Sequence, residues 1–416
     1  MSVGMSLESV FREEHGRLLA TLVRRYGDLQ LAEDVASEAI ESALTHWPVD
    51  GVPSKPGAWL LTAARRRAVD RLRRDSAYAS KIALLQVDRD RADHAPAADA
   101  SDQEFPDERL QLFFTCAHPA LGPDDRVALT LRCLAHFTTQ EVARAFLIPS
   151  STAGQRISRA KKKIRDARIP FRVPSDGELA HRLPGVLQVV YSIFTEGYAA
   201  SSGEDLIRTD LADEALRLGR ILHTLMPAQR EATGLLALML LTHARRAART
   251  GPDGEIQLLE EQDRRLWDRE MIAEGSALVV EALTGGAPGP YSVQAAIASL
   301  HDESSDASTV DWPQIAQLYD VLLALDPSPV VALNRAVAIG MRDGPDVGLT
   351  LLDGLADDPR MTSYYPFAAA RGDLLLRSQR YGEAAQQFSE AYALAGSDPE
   401  RQLMRRRRAD AENCDR

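Results

Sequence analysis

The chain has 416 residues, of which 45% are hydrophobic and 26% charged, and its net charge is −11 at pH 7. A chain of this length and apolar content can bury several cores, so we expect about two to four domains. No apolar stretch reaches the roughly 18 residues of a membrane-spanning helix, and the N-terminus lacks the order of a signal peptide. The sequence therefore predicts a cytoplasmic protein that does not insert into a membrane.

Charge is unevenly distributed along the chain. Residues 1–172 contain 26 Lys and Arg against 23 Asp and Glu, and the remaining residues contain 23 against 37. The N-terminal part, at about +3, is suited to contact a polyanion, whereas the C-terminal part, at about −14, would repel one.

The N-terminal 76 residues show helical periodicity and almost no strand-like alternation. One predicted helix places three carboxylates, Glu33, Asp34 and Glu38, beside an apolar face that includes Val35. An acidic helix of this kind indicates either a protein-binding surface or a solvated face.

A basic helix follows at residues 59–75, "WLLTAARRRAVDRLRRD". Its Arg67, Arg71 and Arg74 share one side, and the opposite side is apolar: Leu61, Ala64, Ala68 and Leu72. The arrangement predicts a face that follows a phosphate backbone. Trp47 and Trp59 flank a Pro/Gly-rich loop, and we interpret them as core residues, with base stacking as the alternative.

Residues 77–107 are rich in Ala and Asp and punctuated by Pro, a composition that cannot bury a core and indicates a linker. It separates a unit at residues 5–76 from a second helical unit at residues 108–170.

The segment "FTTQEVARAFLIPSSTAGQRISRAKKKI" within the second unit has the layout of a helix-turn-helix. Thr138 and Glu141 form a capping box that begins the first helix, and Pro149 lies in the turn. The second helix begins near Ser151 and has an apolar stripe formed by Ala153, Ile157, Ala160 and Ile164. Its other side carries hydrogen-bond donors that fit the major groove, where early residues reach base edges and later ones reach phosphates. These candidate DNA-binding residues are Ser151, Thr152, Gln155, Arg156, Arg159, Lys162 and Lys163.

The acidic C-terminal part is also helical, with breaks at "TGGAPGP" and "HDESSDAS". In residues 291–410, small and aromatic residues recur at spacings close to multiples of a 34-residue helical repeat: Trp312, Tyr319, Pro327, Gly372, Tyr381, Ala384, Phe388 and Ala391. This pattern favours a short helical solenoid. An irregular helical bundle is the alternative to this solenoid.

These motifs, in this order, resemble the bacterial extracytoplasmic-function sigma factors of RNA polymerase, in which regions two and four are joined by a linker. The resemblance covers about residues 5–170. The remainder, including "YSIFTEGY" and "ALNRAVAIG", resembles the subgroup with a long C-terminal extension of tetratricopeptide-like repeats. The implied fold is all-α, with two small sigma domains and a repeat domain at residues 291–410 that follows a helical segment at 175–290.

The resemblance implies a role for each motif. Glu33, Asp34, Val35 and Glu38 would bind the polymerase clamp, and region four would lie near the flap. The loop at residues 48–57 and the basic helix would contact the minus-10 element through Arg65, Arg66, Arg67, Arg71 and Arg74. The helix-turn-helix would read the minus-35 element, and residues 88–107 would extend toward the active-site cleft. Arg66 and Gly154 stand where the family usually has Asn and a basic residue, so the promoter sequence is not predicted.

The expected partners are therefore core RNA polymerase and promoter DNA, with an intramolecular contact from the C-terminal region regulating activity in cis. We expect no enzyme activity, cofactor or metal, since Cys116 and His118 supply at most half of a tetrahedral zinc site. The alternatives are a free-standing helix-turn-helix regulator and a repeat-based interaction scaffold.

Overall fold

The computed structural model describes residues 7–83, 108–135, 137–146, 148–198, 208–251, 254–304 and 306–414. In these ranges the fold is all-α, as predicted, and its one β feature is an isolated bridge between Thr250 and Ile256. None of the described helices combines the length and apolarity needed to cross a membrane. The chain forms two compact units, residues 1–189 and 190–416, and their boundary falls inside α8.

The first unit contains seven described helices and the first part of an eighth. They are α1 (Leu7–Tyr26), α2 (Leu29–Asp50), α3 (Pro56–Ala83), α4 (Arg109–Cys116), α5 (Pro123–Cys133), α6 (Thr139–Ala145), α7 (Ser150–Asp166) and α8 (Asp176–Tyr198).

A tight turn joins α1 to α2. Gly27 adopts a positive φ of 69°, and the Asp28 carboxylate accepts hydrogen bonds from the main-chain N–H groups of Gln30 and Leu31. Asp28 thus satisfies two of the N–H groups that a helix leaves unpaired at its start.

Trp47 anchors α2 in the core. Its ring stacks on Phe11 at 5.2 Å and meets Trp59 edge-on at 5.5 Å, which agrees with the core interpretation. The helix continues through Pro48 to Asp50, so the loop predicted at residues 48–57 is shorter, because α3 already begins at Pro56. A proline in a final turn removes only one helical hydrogen bond, and the N–H of Gly51 closes the helix on the Trp47 carbonyl.

The basic helix α3 extends to Ala83, past the boundary expected at residue 76. Leu61, Ala64 and Ala68 are buried as predicted, but Leu72 is 44% exposed. Residues 84–107, most of the predicted linker, lie outside the described residues.

The second unit contains the rest of α8 and ten further described helices. They are α9 (Thr209–Leu225), α10 (Arg230–Ala244), α11 (Arg269–Leu283), α12 (Pro290–Glu303), α13 (Trp312–Leu325), α14 (Pro329–Asp343), α15 (Pro345–Asp353), α16 (Tyr365–Arg377), α17 (Tyr381–Leu394) and α18 (Asp398–Cys414). The predicted breaks coincide with the ends of α11 and α12.

Small residues allow close packing between the later helices. Gly372 of α16 lies so near the buried Phe388 ring of α17 that a Cβ would come within 2.7 Å of it. Gly340 and Gly348 bring α14 and α15 together in the same way, since a Cβ on Gly348 would lie 2.9 Å from the Gly340 Cα. These contacts suit stacked helical pairs, and the tetratricopeptide-like assignment remains a prediction.

Replacing Phe388 should test this packing. Because Phe388 is fully buried, Phe388→Ala is expected to lower the free energy of unfolding by about 3–5 kcal/mol through lost apolar burial and a new cavity. Urea unfolding of the full chain, followed by circular dichroism, measures the loss. The control is Tyr392→Ala, an exposed position on the same helix, and an equal loss in both variants would contradict the packing.

Candidate nucleic-acid interface

The first helix of the predicted helix-turn-helix, α6, begins with a capping box. The Thr138 hydroxyl accepts from the Glu141 N–H at 3.2 Å, and the Glu141 carboxylate accepts from the Thr138 N–H at 2.7 Å. The prediction of this box is confirmed. Val142 and Ala143 are buried and fix the inner face of α6.

The second helix, α7, follows Pro149, whose extended conformation redirects the chain. The four residues of the predicted apolar stripe are all buried: Ala153, Ile157, Ala160 and Ile164. Burial of the stripe determines which side of α7 faces outward.

The outward side of α7 carries most of the predicted minus-35 residues. Ser151, Gln155, Arg159, Lys162 and Lys163 are exposed, and Thr152 is partly exposed. The exposed set extends from the first turn of the helix to its last, and it combines short polar groups at the start with cations toward the end.

Arg156 differs from the other predicted residues of α7. Its guanidinium lies 3.1 Å from the Asp124 carboxylate of α5 and 4.9 Å from the centre of the Phe146 ring. Its side chain is mostly buried, whereas that of Asp124 is mostly exposed. Arg156 therefore ties α7 to α5 and α6 in this structure.

The five predicted arginines of α3 fall into three groups. Arg66 and Arg74 are exposed. Arg67 and Arg71 turn toward α2, where Arg67 pairs with Glu38 at 3.3 Å and Arg71 pairs with Asp34 at 2.9 Å. Arg65 is partly buried, and this desolvation, with the nearby Arg25 charge second, lowers its pKa.

The four predicted polymerase-binding residues of α2 are not equally accessible. Asp34 and Glu38 are partly exposed and paired with α3. Val35 is fully buried in the core, and Glu33 is only 5% exposed.

Glu33 is the centre of a buried ion cluster. Its carboxylate pairs with Arg132 of α5 and with Lys161 of α7, and Lys161 also donates to the Gln30 side chain. The cluster joins the acidic helix of the first predicted sigma domain to two helices of the second. A buried carboxylate needs such partners, since desolvation of an unpaired charge is costly.

Arg132 and Lys161 were not among the predicted site residues, although the sequence contains a signal for Lys161. Lys161 is four residues after Ile157 and three before Ile164, so it borders the apolar stripe, unlike Lys162 and Lys163. Its pairing with Glu33 depends on contacts between distant parts of the chain, which periodicity does not specify.

In the parts of the chain that the structure describes, no group of three or more potential ligands could hold a metal ion. Cys116 packs beside Cys133, and the hydrogen bond between them, followed by burial, raises the pKa of the Cys116 thiol. The ring of His118 accepts a hydrogen bond from the Ala120 N–H at 3.1 Å. Both residues thus have structural contacts.

Two known protein families match the helices of the first unit. Sigma-70 region 2 matches residues 10–78, and sigma-70 region 4 matches residues 114–164. A probable ECF RNA polymerase sigma factor, SigI of Mycobacterium tuberculosis, is 26% identical over 173 residues, 42% of this chain and 59% of the relative. The chain therefore contains sigma-70 regions 2 and 4, which supports its resemblance to the extracytoplasmic-function sigma factors. Sigma factors are transcription initiation factors that act with core RNA polymerase and promoter DNA.

This sigma factor has a long C-terminal extension. Residues 182–283 match a family of unknown function (DUF6596). Uncharacterized protein R00370 of Rhizobium meliloti (strain 1021) is 40% identical over 390 residues, 93% of this chain and 91% of the relative, so the two share the extension. No solved structure matches the chain.

The Glu33 cluster makes a prediction about stability. Glu33→Gln should lower the free energy of unfolding by about 3–5 kcal/mol, because it leaves two cations buried without their carboxylate. Glu38→Gln on the same helix is the control, and it should cost at most about 1 kcal/mol because its ion pair is exposed. Chemical denaturation measures both, and similar losses would show that the cluster is not buried in solution.

Proposed function

We propose that this sigma factor directs core RNA polymerase to promoters by reading the minus-35 element with α7 and contacting the minus-10 element with α3 and the loop before it. We further propose that it acts in the cytoplasm and that its C-terminal unit regulates this activity in cis. The observation that carries the proposal is α7, a helix whose apolar stripe is buried and whose opposite side is lined with donors.

The distribution of side chains on α7 supports different roles for the start and the end of the helix. Ser151, Thr152 and Gln155 are near the start of the helix, where a recognition helix meets base edges in the major groove. Lys162 and Lys163 are near its end, where they would contact phosphates and strengthen binding without reading sequence. Arg159 lies between the two sets and is exposed.

Arg156 would have to exchange partners to reach DNA. Its ion pair with Asp124 involves a mostly exposed carboxylate, and such pairs contribute little to stability. The phosphate backbone or a guanine edge therefore competes with Asp124 for the same guanidinium. Before that exchange, the Phe146 ring holds the Arg156 guanidinium beside the exposed hydrogen-bond donors of α7.

The minus-10 contact is proposed to begin with Arg66 and Arg74, which are exposed. Arg67 and Arg71 are paired with the carboxylates of α2, so DNA would meet them only after those pairs open. Asp34 and Glu38 would thus be released for polymerase at the same step.

Polymerase binding through Glu33 requires a larger change. Arg132 and Lys161 cover this carboxylate, so the clamp would gain access to it only if α5 and α7 move away from α2. We infer that such opening accompanies assembly with core enzyme, where region two and region four contact separate surfaces.

Replacing Arg159 tests the minus-35 role. Arg159→Ala should weaken promoter recognition by about 1–3 kcal/mol and relax the preference at one minus-35 position, while association with core polymerase is retained. Run-off transcription from a promoter pool, together with co-purification of core enzyme, measures the two effects. The control is Arg172→Ala, an exposed arginine beyond α7 that pairs with Glu178. Equal activity of both variants would contradict the assignment.

The cis-regulatory role is supported by charge. A C-terminal part of about −14 is tethered to the two basic helices, and tethering raises its effective concentration near them. The first half of α8 belongs with the first unit, as Arg182 donates to the Phe114 carbonyl at 2.8 Å.

A truncation that respects this boundary tests regulation in cis. A chain ending at Val189 keeps the contacts of α8 with the first unit, and its transcription should differ from that of the full chain at equal occupancy of core enzyme. Run-off transcription at low and high salt measures the difference, which should shrink as salt screens charge. Unchanged output at both salt concentrations would remove cis regulation and leave the sigma activity intact.

A further inference from the structure

The second unit contains a cleft of about 420 Å³ that the proposed sigma activity does not use. Its walls are formed by α10, α12, α13 and the segment at residues 256–262, which connects two short 3₁₀ turns. The polar residues that line it are Tyr198, Thr242, Arg245, Arg249, Gln257, Gln262, Gln294, His301 and Tyr319. A volume of this size falls in the lower part of the range of small-molecule pockets, about 300–1,000 Å³.

The cleft has an excess of positive charge. Arg245 is 8% exposed, and its Nε lies 3.5 Å from a carboxylate oxygen of Asp302, which is 2% exposed. Arg249 and the neighbouring Arg264 donate to main-chain carbonyls instead, and both lie over aromatic rings. Burial raises the pKa of Asp302 to about 6, so its carboxyl group is mostly ionised at pH 7 and supplies one negative charge against three guanidinium groups.

Besides the Arg245 Nε, which lies 3.5 Å from the Asp302 carboxylate, two buried polar atoms among the lining residues lack a hydrogen-bond partner in the described part of the chain. One is the Gln262 Oε1, whose amide Nε2 donates to the Gln257 carbonyl. The other is the His301 Nδ1. Burial, with Arg245 and Arg264 second, lowers the pKa of His301 to about 4, so its ring is neutral at pH 7. Buried polar atoms are normally satisfied, so unpaired ones on residues that line a cleft indicate a missing partner.

The segment beside the cleft is held to the later helices by ion pairs and apolar packing. Glu255 and Glu261 pair with Arg406 of α18, and Glu260 pairs with Arg377 of α16. Ile256 and Leu258 pack against the apolar core of the later helices, so the segment forms a fixed wall of the cleft.

We propose that this cleft binds a small organic anion that also carries a hydrogen-bond donor, as hydroxy acids and amino acids do. Arg245 and Arg249 bind its carboxylate, because guanidinium groups match carboxylate geometry and retain their charge when buried. Gln262 Oε1 accepts the donor. Asp302 keeps Arg245 oriented and does not contact the ligand.

Calorimetric titration of the full-length protein tests the proposal with L-malate, L-glutamate and succinate as probes and uncharged succinamide as a reference. At least one of the first two should bind saturably with a Kd of about 1 mM or tighter, and succinamide should not. Arg245→Gln should weaken that binding at least about tenfold. Gln262→Leu should weaken malate or glutamate but leave succinate, which lacks the donor, unchanged.

The matched control is Arg265→Gln, a highly exposed arginine next to the cleft segment, which should bind like the unmodified chain. Thermal unfolding establishes that each variant is folded. If Arg245→Gln fails to fold, the contrast between malate and succinate in Gln262→Leu decides the question. Absence of saturable binding by all three anions, or equal affinity in Arg245→Gln and Arg265→Gln, overturns the proposal.

Discussion

The buried carboxylate of Glu33 is the constraint on which the arrangement of the first unit depends. A charge at this depth is tolerated only while Arg132 and Lys161 remain beside it, so α5 and α7 are held against α2. Two consequences follow together. The acidic helix is partly covered, and the donor face of α7 is oriented by the same lysine that closes the cluster. The two sigma regions therefore restrain each other in the free chain.

The sequence predicted those features that depend on neighbouring residues. The capping box at Thr138 and Glu141, the buried stripe of α7 and the all-α fold all follow from local spacing and local hydrogen bonding. Leu72 and Pro48 show where local patterns fail. Leu72 continues the apolar spacing of α3 but is exposed, and Pro48 is accommodated because Trp47 holds the last turn of α2 in the core.

Ion pairs between distant parts of the chain could not be predicted from the sequence for a related reason. The basic charge of α3 indicated a uniform phosphate-binding face, yet Arg67 and Arg71 form ion pairs with carboxylates of α2. A helical pattern specifies which side of a helix is polar, but the partner of a polar side chain is chosen by tertiary packing. The same limit applies to the polar cleft of the second unit, whose residues come from segments spread over more than a hundred positions.

The contact between Gly340 and Gly348 has a consequence for the shape of the second unit. Main chain meets main chain there, so the distance between α14 and α15 is set by atoms that every amino acid shares. Side-chain substitution elsewhere can loosen or fill the surrounding core, but it cannot bring these helices closer. Any side chain at position 348 would therefore push α15 away from α14, because its Cβ would collide with the Gly340 main chain.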